Sequence, residues 1–225
     1  MSAIFITATG TDIGKTFVAA GLIRHWRAAG RTVDALKPVV TGYDPANATA
    51  SDPGLLLAAL GRPVTPIEIE RISPWRFAAP LSPDMAARRE NRTIDFDALV
   101  EFTRSAIANA KGTLLIEGIG GVMVPLDDTH TVLDWVVALD APTLLVVGSY
   151  LGTLSHSLTA AAALRNRGAR VAGVIVSESA EQPAPAAETA MVLARFLKPT
   201  PVHVLPRHAT RGATPLLPLL APYLR

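Results

Sequence analysis

The segment Thr7-Ala8-Thr9-Gly10-Thr11-Asp12-Ile13-Gly14-Lys15-Thr16 follows a short apolar run and precedes a helical pattern from Thr16 to Ala29 that ends at Gly30. A loop between a buried strand and a helix N-terminus aims backbone N–H groups and the positive end of the helix dipole at one point, where a polyphosphate can sit. A lysine at that point reaches the terminal phosphates as a compact charge, and the hydroxyl after it supplies a ligand for Mg2+. The usual spacing is G-x-x-x-x-G-K-[ST], but here Gly10 stands only three residues before Gly14, with Thr9 at the usual glycine position. The plainer alternative is a glycine-containing turn with an incidental lysine. Composition argues against it: of 21 basic residues only four are lysines, Lys15, Lys37, Lys111 and Lys198. A chain that writes Arg for ordinary positive charge places Lys where a planar guanidinium would not serve.

Two further places carry chemistry. Lys37-Pro38-Val39-Val40-Thr41-Gly42 closes the second strand-like run, and Glu117-Gly118-Ile119-Gly120-Gly121 follows the third, Thr113 to Ile116. In a doubly wound sheet the C-terminal ends of neighbouring strands share one crevice, so Lys37 and Glu117 are expected to face the loop that holds Lys15. A carboxylate directly after a buried strand is costly without a cation or hydrogen-bond donors, and phosphate-transfer folds hold their metal there. Ser51-Asp52 opens a helix. An acid there serves either as an N-cap-like group or as a ligand of Mg2+ or its water, and the residues alone favour the cap.

These groups need a rigid frame, and the frame is legible in the alternation of apolar runs with helical patterns. Strands are expected at Ala3 to Thr7, Thr32 to Leu36, Thr113 to Ile116, Thr143 to Val147, Arg170 to Val176 and Val202 to Leu205. Helices are expected at Thr16 to Ala29, Asp52 to Leu60, Ser82 to Glu90, Phe96 to Ala110, Thr153 to Arg165 and Leu216 to Ala221. The alternation predicts a single α/β domain over residues 1–225, a doubly wound, mostly parallel sheet in a Rossmann-like three-layer arrangement. With 49% hydrophobic but only 5% aromatic residues, the core must be aliphatic, as buried parallel sheets are. Residues 43 to 93 carry no strong strand signal and are rich in proline, which reads as a functional elaboration. Residues 141 to 164 hold no Asp, Glu, Lys or Arg, but Pro142, Gly148, Gly152 and several hydroxyl residues break the run into a strand, a turn and a helix, not a membrane span. A net charge of +2 gives no basic face for nucleic acid, and the absence of Cys excludes disulfides, thiolate metal sites and a Cys nucleophile. The start of the chain shows no export signal, so a cytoplasmic location is expected.

Taken together the segments resemble the dethiobiotin synthetase family of P-loop NTPases over nearly the whole chain. The resemblance is carried by the loop ending in Gly14-Lys15-Thr16, by Lys37-Pro38-Val39 with Thr41-Gly42, by Ser51-Asp52 and by the run from Phe77 to Pro83. Glu117 to Gly121 with Pro125-Leu126, Asp134-Trp135, and Leu151-Gly152 with His156 complete it. It implies an ATP- and Mg2+-dependent carboxylation and ring closure of 7,8-diaminopelargonic acid with CO2, through a carbamate and its mixed anhydride with phosphate. It further implies Thr16, Asp52 and Glu117 around Mg2+, with Lys37, Lys15 and Thr11 as catalytic residues, and Lys37, Thr41 and Ser155 on the substrate. Asp12, Ile13, Gly14, Lys15, Thr16, Phe17, Asp52, Glu117, Gly118, Ile119 and Gly120 would hold the nucleotide phosphates and metal, and Ser177, Glu178, Pro206, Arg207 and His208 its base. A homodimer is implied, with Ser155 reaching the substrate carboxylate across it. The chain departs from the family pattern at Ala8, Gly10, Asp12 and Ile119, and carries Ser155 and Ser177 where Asn is usual.

The main rival is an ATP-dependent switch of the partitioning and cell-division type. Loops of that type carry an extra lysine near their start, where this chain has Ala8 to Thr11. Amidating ligases of the same fold add a glutaminase domain with a Cys nucleophile, for which this chain has neither the length nor the residue. A scaffold that lost its site would have no need to keep Lys15, Thr16, Lys37 and Glu117 together.

Overall fold

The computed structural model describes residues 2–207; His208 and the helix expected at Leu216 to Ala221 lie outside the described residues. The six expected strands form one sheet: β1 (Ser2–Ala8), β2 (Val33–Leu36), β5 (Thr113–Glu117), β6 (Thr143–Val147), β7 (Val171–Ser177) and β8 (Val202–Leu205). Its order is β2-β5-β1-β6-β7-β8, with every neighbouring pair parallel. The strands are apolar because helices cover both faces of such a sheet. Ile4, Phe5 and Ile6 of β1 and Leu144 to Val147 of β6 are fully buried. The chain leaves β1 towards β2 on one side and later returns to β6 on the other, so the strand order reverses beside β1. The loop after β1 therefore opens into the crevice where such sheets bind ligands.

Five expected helices are present within one residue of their predicted ends: α1 (Lys15–Ala28), α2 (Asp52–Ala59), α4 (Pro83–Arg89), α5 (Phe96–Asn109) and α7 (Thr153–Asn166). Gly30 ends α1 as expected: its φ of +74° lets its own N–H and that of Arg31 reach back to the carbonyls of Arg27 and Trp26. The uncharged stretch 141–164 resolves into β6 and α7, and among the described residues no helix is long and apolar enough to cross a membrane.

The proline-rich interval is more ordered than its sequence suggests. Val39–Thr41 forms β3 and pairs in parallel with β4 (Trp75–Phe77), a small second sheet where no strong strand is expected. Three residues between Pro74 and a turn are too short to show a two-residue period. The same interval holds a 3-10 turn at Pro45–Ala50 and α3 (Pro66–Ile72), capped by the Thr65 hydroxyl. Two other helices are missing from the sequence reading, α6 (Val132–Leu139) and α8 (Ala186–Phe196). α6 is an eight-residue run, apolar except for Asp134, and an apolar run of that length reads as strand or helix alike. Its start is set instead by Asp134, whose carboxylate accepts hydrogen bonds from the N–H and hydroxyl of Thr131. Trp135 of α6 meets Phe5 edge to face at 4.9 Å, tying the helix to the central strand.

Some glycines serve close approach. A Cβ at Gly112 would lie 2.2 Å from the Thr32 carbonyl oxygen, where the turn before β5 docks on the start of β2. Backbone cannot yield there as a side-chain tip can. Gly112→Ala is expected to cost about 2 kcal/mol of overpacking strain, a fall of roughly 4–8 °C in Tm for a chain of this size. Because Gly112 sits at the opposite end of β5 from Glu117, nucleotide affinity measured on the folded variant should stay unchanged.

Candidate active site

The glycine-containing loop and the two strand-end motifs converge on one cavity of about 770 Å3. Its floor is the start of α1. Gly14 stands immediately before that helix with a φ of +103°, and a Cβ there would come within 2.6 Å of the Ser177 hydroxyl. Only glycine fits both constraints. Asp12 also takes a positive φ, so the backbone from Thr11 to Gly14 curls round the helix N-terminus as phosphate-binding loops do. Thr11, Asp12, Gly14, Lys15 and Thr16 all line the cavity.

At its centre is a buried charge cluster. The Lys37 ammonium donates to Glu117 Oε1 at 2.8 Å and to the Gly118 carbonyl at 2.7 Å, and lies 3.0 Å from Asp52 Oδ2. The side chain of Lys37 is 2% exposed and that of Glu117 is fully buried, while Asp52 faces the opening. Burial works against the charge on Lys37, but Glu117 and Asp52 outweigh it and hold the pKa above that of an ordinary lysine. Burial likewise opposes ionisation of Asp52, and Lys37 and Thr16 together reverse it, leaving the carboxyl below its usual range. Lys15 behaves differently. Its ammonium donates to the carbonyls of Gly10 at 3.0 Å and Gly120 at 2.9 Å, and among the described residues no carboxylate touches it. Burial first and the charge on Lys37 second lower its pKa to about 8, against a partial pull from Glu117, Asp52 and Asp12.

The Asp52 reading needs correction. Ser51 is the residue that caps α2, accepting from the Gly54 N–H at 3.3 Å. Asp52 is the first helical residue, so its side chain is released from capping and turns to Lys37 and Thr16. The Thr16 hydroxyl lies 2.8 Å from Asp52 Oδ1 and 2.7 Å from Glu117 Oε1, yet it has a single proton to donate. Glu117 Oε2 is buried with no hydrogen-bond partner among the described residues. The cluster thus has more oxygen acceptors than donors, all of them hard ligands, and fits a divalent cation of the Mg2+ type. Among the described residues no group of three or more His, Cys, Asp or Glu could hold a metal by itself. Such an ion therefore needs phosphate oxygens to complete its shell.

The other expected residues divide. Thr41, Ile119 and Gly120 line the same cavity. Ser177 packs beside Gly14 at the rim, and Glu178 accepts from the Arg207 N–H at 2.9 Å, which draws the turn after β8, Pro206-Arg207, to the end of β7. Ile13, Phe17, Glu117, Gly118, Ser177, Glu178, Pro206 and Arg207 are not part of the cavity lining, Glu117 lying fully buried behind Lys37 and Thr16. Ser155 is exposed in the first turn of α7 and does not reach the cavity of its own chain. Val40, Ser51 and the wall from Pro80 to Pro83 line the site without a role assigned from sequence. The Pro-Leu-Ser-Pro spelling of that wall was the available signal.

The charges of Lys37 and Glu117 should be coupled in stability. Lys37→Met strands a buried carboxylate and is expected to cost about 3–5 kcal/mol. Adding Glu117→Gln should cost less than the two single losses combined, by about 2 kcal/mol, read from urea unfolding of the four proteins. Additive losses would show that the pair is not coupled.

A family model described as an AAA domain matches residues 2–210. The ATP-dependent dethiobiotin synthetase of Acidiphilium cryptum is 52% identical over 202 residues, covering 89% of this chain and 91% of that protein. The same enzyme from a Caulobacter species is 51% identical over 208 residues, covering 92% and 89%. Among solved structures, the signal recognition particle receptor FtsY of Elizabethkingia anophelis aligns with a TM-score of 0.50 at 15% identity, over 89% of this chain and 57% of the receptor chain. That likeness concerns the α/β fold alone. With half of its residues shared across almost the full length of these enzymes, the chain belongs to the dethiobiotin synthetase family.

Proposed function

We propose that the 225 residues act as one ATP-dependent ligase domain that converts 7,8-diaminopelargonic acid and CO2 to dethiobiotin, with ATP giving ADP and phosphate. The observation that carries this reading is the placement of Lys15 and Lys37 on one cavity, one at the phosphate loop and the other at the end of β2, with Thr41 also lining it. A simple ATPase switch needs the first lysine and has no evident use for the second.

In this reading one substrate amine attacks CO2 and loses a proton, giving a carbamate. A carbamate oxygen then takes the γ-phosphoryl group as the bond to ADP breaks. The second amine attacks the carbamoyl carbon and expels phosphate, which closes the cyclic urea. The protein's part is positioning and charge neutralisation, with no covalent step of its own. The N–H groups of the Thr11 to Thr16 loop cradle the phosphates, and Lys15 turns from the Gly10 and Gly120 carbonyls to the transferring group. Lys37 sets a compact positive charge beside the carbamate and disfavours protonation of the nucleophilic amine. Thr41 donates to the substrate. Thr16, Asp52 and Glu117 would hold Mg2+, which when bound screens the phosphate charges. Ser177, Glu178, Pro206 and Arg207 form the rim for the base. A homodimer, in which the exposed Ser155 of one subunit serves the substrate carboxylate of the other, and a cytoplasmic location complete the proposal.

ATP hydrolysis should depend on both diaminopelargonic acid and bicarbonate, measured as phosphate release with each omitted in turn. Release that ignores both but responds to a protein or DNA would favour the switch reading. Lys37→Arg keeps the charge but not its compact shape, and turnover should fall by roughly a hundredfold or more while ATP affinity stays within a few-fold. Near-normal turnover would remove Lys37 from the carbamate.

A further inference from the structure

We propose that the Lys37 ammonium and the divalent cation are alternative occupants of the Thr16–Asp52–Glu117 oxygens, so that metal entry is the event that frees Lys37 to serve the substrate. The proposal rests on the metal and substrate roles set out under Proposed function and adds the order in which they become available.

An ammonium has three protons and no acceptor. In this structure all three are spent, on Glu117 Oε1 at 2.8 Å, Gly118 O at 2.7 Å and Asp52 Oδ2 at 3.0 Å. A lysine so bound has nothing left to give a carbamate oxygen. It must let go of at least one partner before it can act, and its buried position makes an uncompensated release expensive. A cation that takes over the carboxylates supplies the compensation.

The oxygens that hold Lys37 are also the ones a metal needs. Glu117 Oε1 is shared between Lys37 and the Thr16 hydroxyl, and Asp52 gives one oxygen to each of them. A dication on the same carboxylates would stand a few ångströms from the ammonium in a poorly solvated pocket, where like charges repel strongly. One of the two has to leave. Glu117 ends a central strand and Asp52 begins a helix, so the carboxylates are fixed by the fold, whereas Lys37 carries its charge on a four-carbon stem that also lines the open cavity. The exchange therefore falls to the lysine.

Because the chain has only four lysines, their ammonium resonances can be followed singly. The full-length protein labelled with 15N-lysine would be titrated with MgCl2 in the presence of ADP, with assignment by single substitutions and metal binding measured in parallel by calorimetry. The Lys37 Nζ signal should shift or broaden saturably with metal binding, while those of Lys111 and Lys198 stay in place. In Lys37→Met the ion no longer competes with an ammonium, and its affinity should rise by about tenfold or more. Metal that binds without moving the Lys37 signal would overturn the exchange and leave the Mg2+ assignment standing. Unchanged or weaker affinity in a folded Lys37→Met protein would likewise overturn the exchange. No metal binding to either protein would remove the Mg2+ assignment and the exchange together. The wild-type titration decides even if Lys37→Met does not fold.

Discussion

Glu117 is a fully buried carboxylate at the end of a central parallel strand, and the fold around it is arranged to make that tolerable. An isolated buried charge of this kind is prohibitive, and here it is met by Lys37 at 2.8 Å and the Thr16 hydroxyl at 2.7 Å. Each partner arrives through a separate feature of the topology. Strand order places β2 beside β5, so that the residue after β2, Lys37, emerges next to the residue that ends β5. β1 flanks β5 on its other side, and the loop after it delivers Thr16 in the first turn of α1. A different strand order would leave the carboxylate without its cation.

Burial lowers the pKa of both lysines, and the opposite net outcome lies in what each touches. Lys37 faces two carboxylates and is held charged more firmly than a lysine in water. Lys15 faces two backbone carbonyls and the charge of Lys37, and its pKa falls to about 8. Carbonyl dipoles hold an ammonium less tightly than ionised acids do. Lys15 is thus the lysine readier to leave its resting partners for an arriving phosphate. Lys37 leaves only when something replaces it.

Much of this was legible in the residues. The strand-then-helix setting exposed the phosphate loop in spite of its shortened glycine spacing, and Lys37 and Glu117 could be assigned to one crevice from the rule on strand ends alone. Five of the helices were found to within one residue because their ends carry strong local signals, such as Gly30 after α1 and Asp95 before α5. What stayed hidden depends on long-range partners. β4 exists because β3 pairs with it, and α6 is fixed by the Thr131–Asp134 contacts and by Trp135 on Phe5, none of which leaves a period in the sequence. For a related reason the residues alone favour a cap at Asp52, whereas Ser51 is the cap. Ser and Asp side by side both suit a helix N-cap, and only the distance to Lys37 shows that Ser51 caps while Asp52 faces the site.

Net charge is a poor guide to such a site. The chain as a whole carries +2, yet Lys15, Lys37, Asp12 and Asp52 line the cavity and Glu117 is buried behind them against Lys37. The resting site is therefore close to balanced and cannot draw in a polyphosphate by charge alone. Attraction has to come from the N–H groups and dipole of α1, which cannot be neutralised by side chains. The ammonium of Lys37 leaves Glu117 Oε2 and the surplus oxygen around Thr16 unmet among the described residues, and under the proposed exchange a divalent cation would satisfy them. The positive charge that such an exchange would release is Lys37 itself, which follows β2 on the cavity that Thr41 also lines. The short supply of hydrogen-bond donors in the resting cluster is what would give an ion its advantage over the lysine.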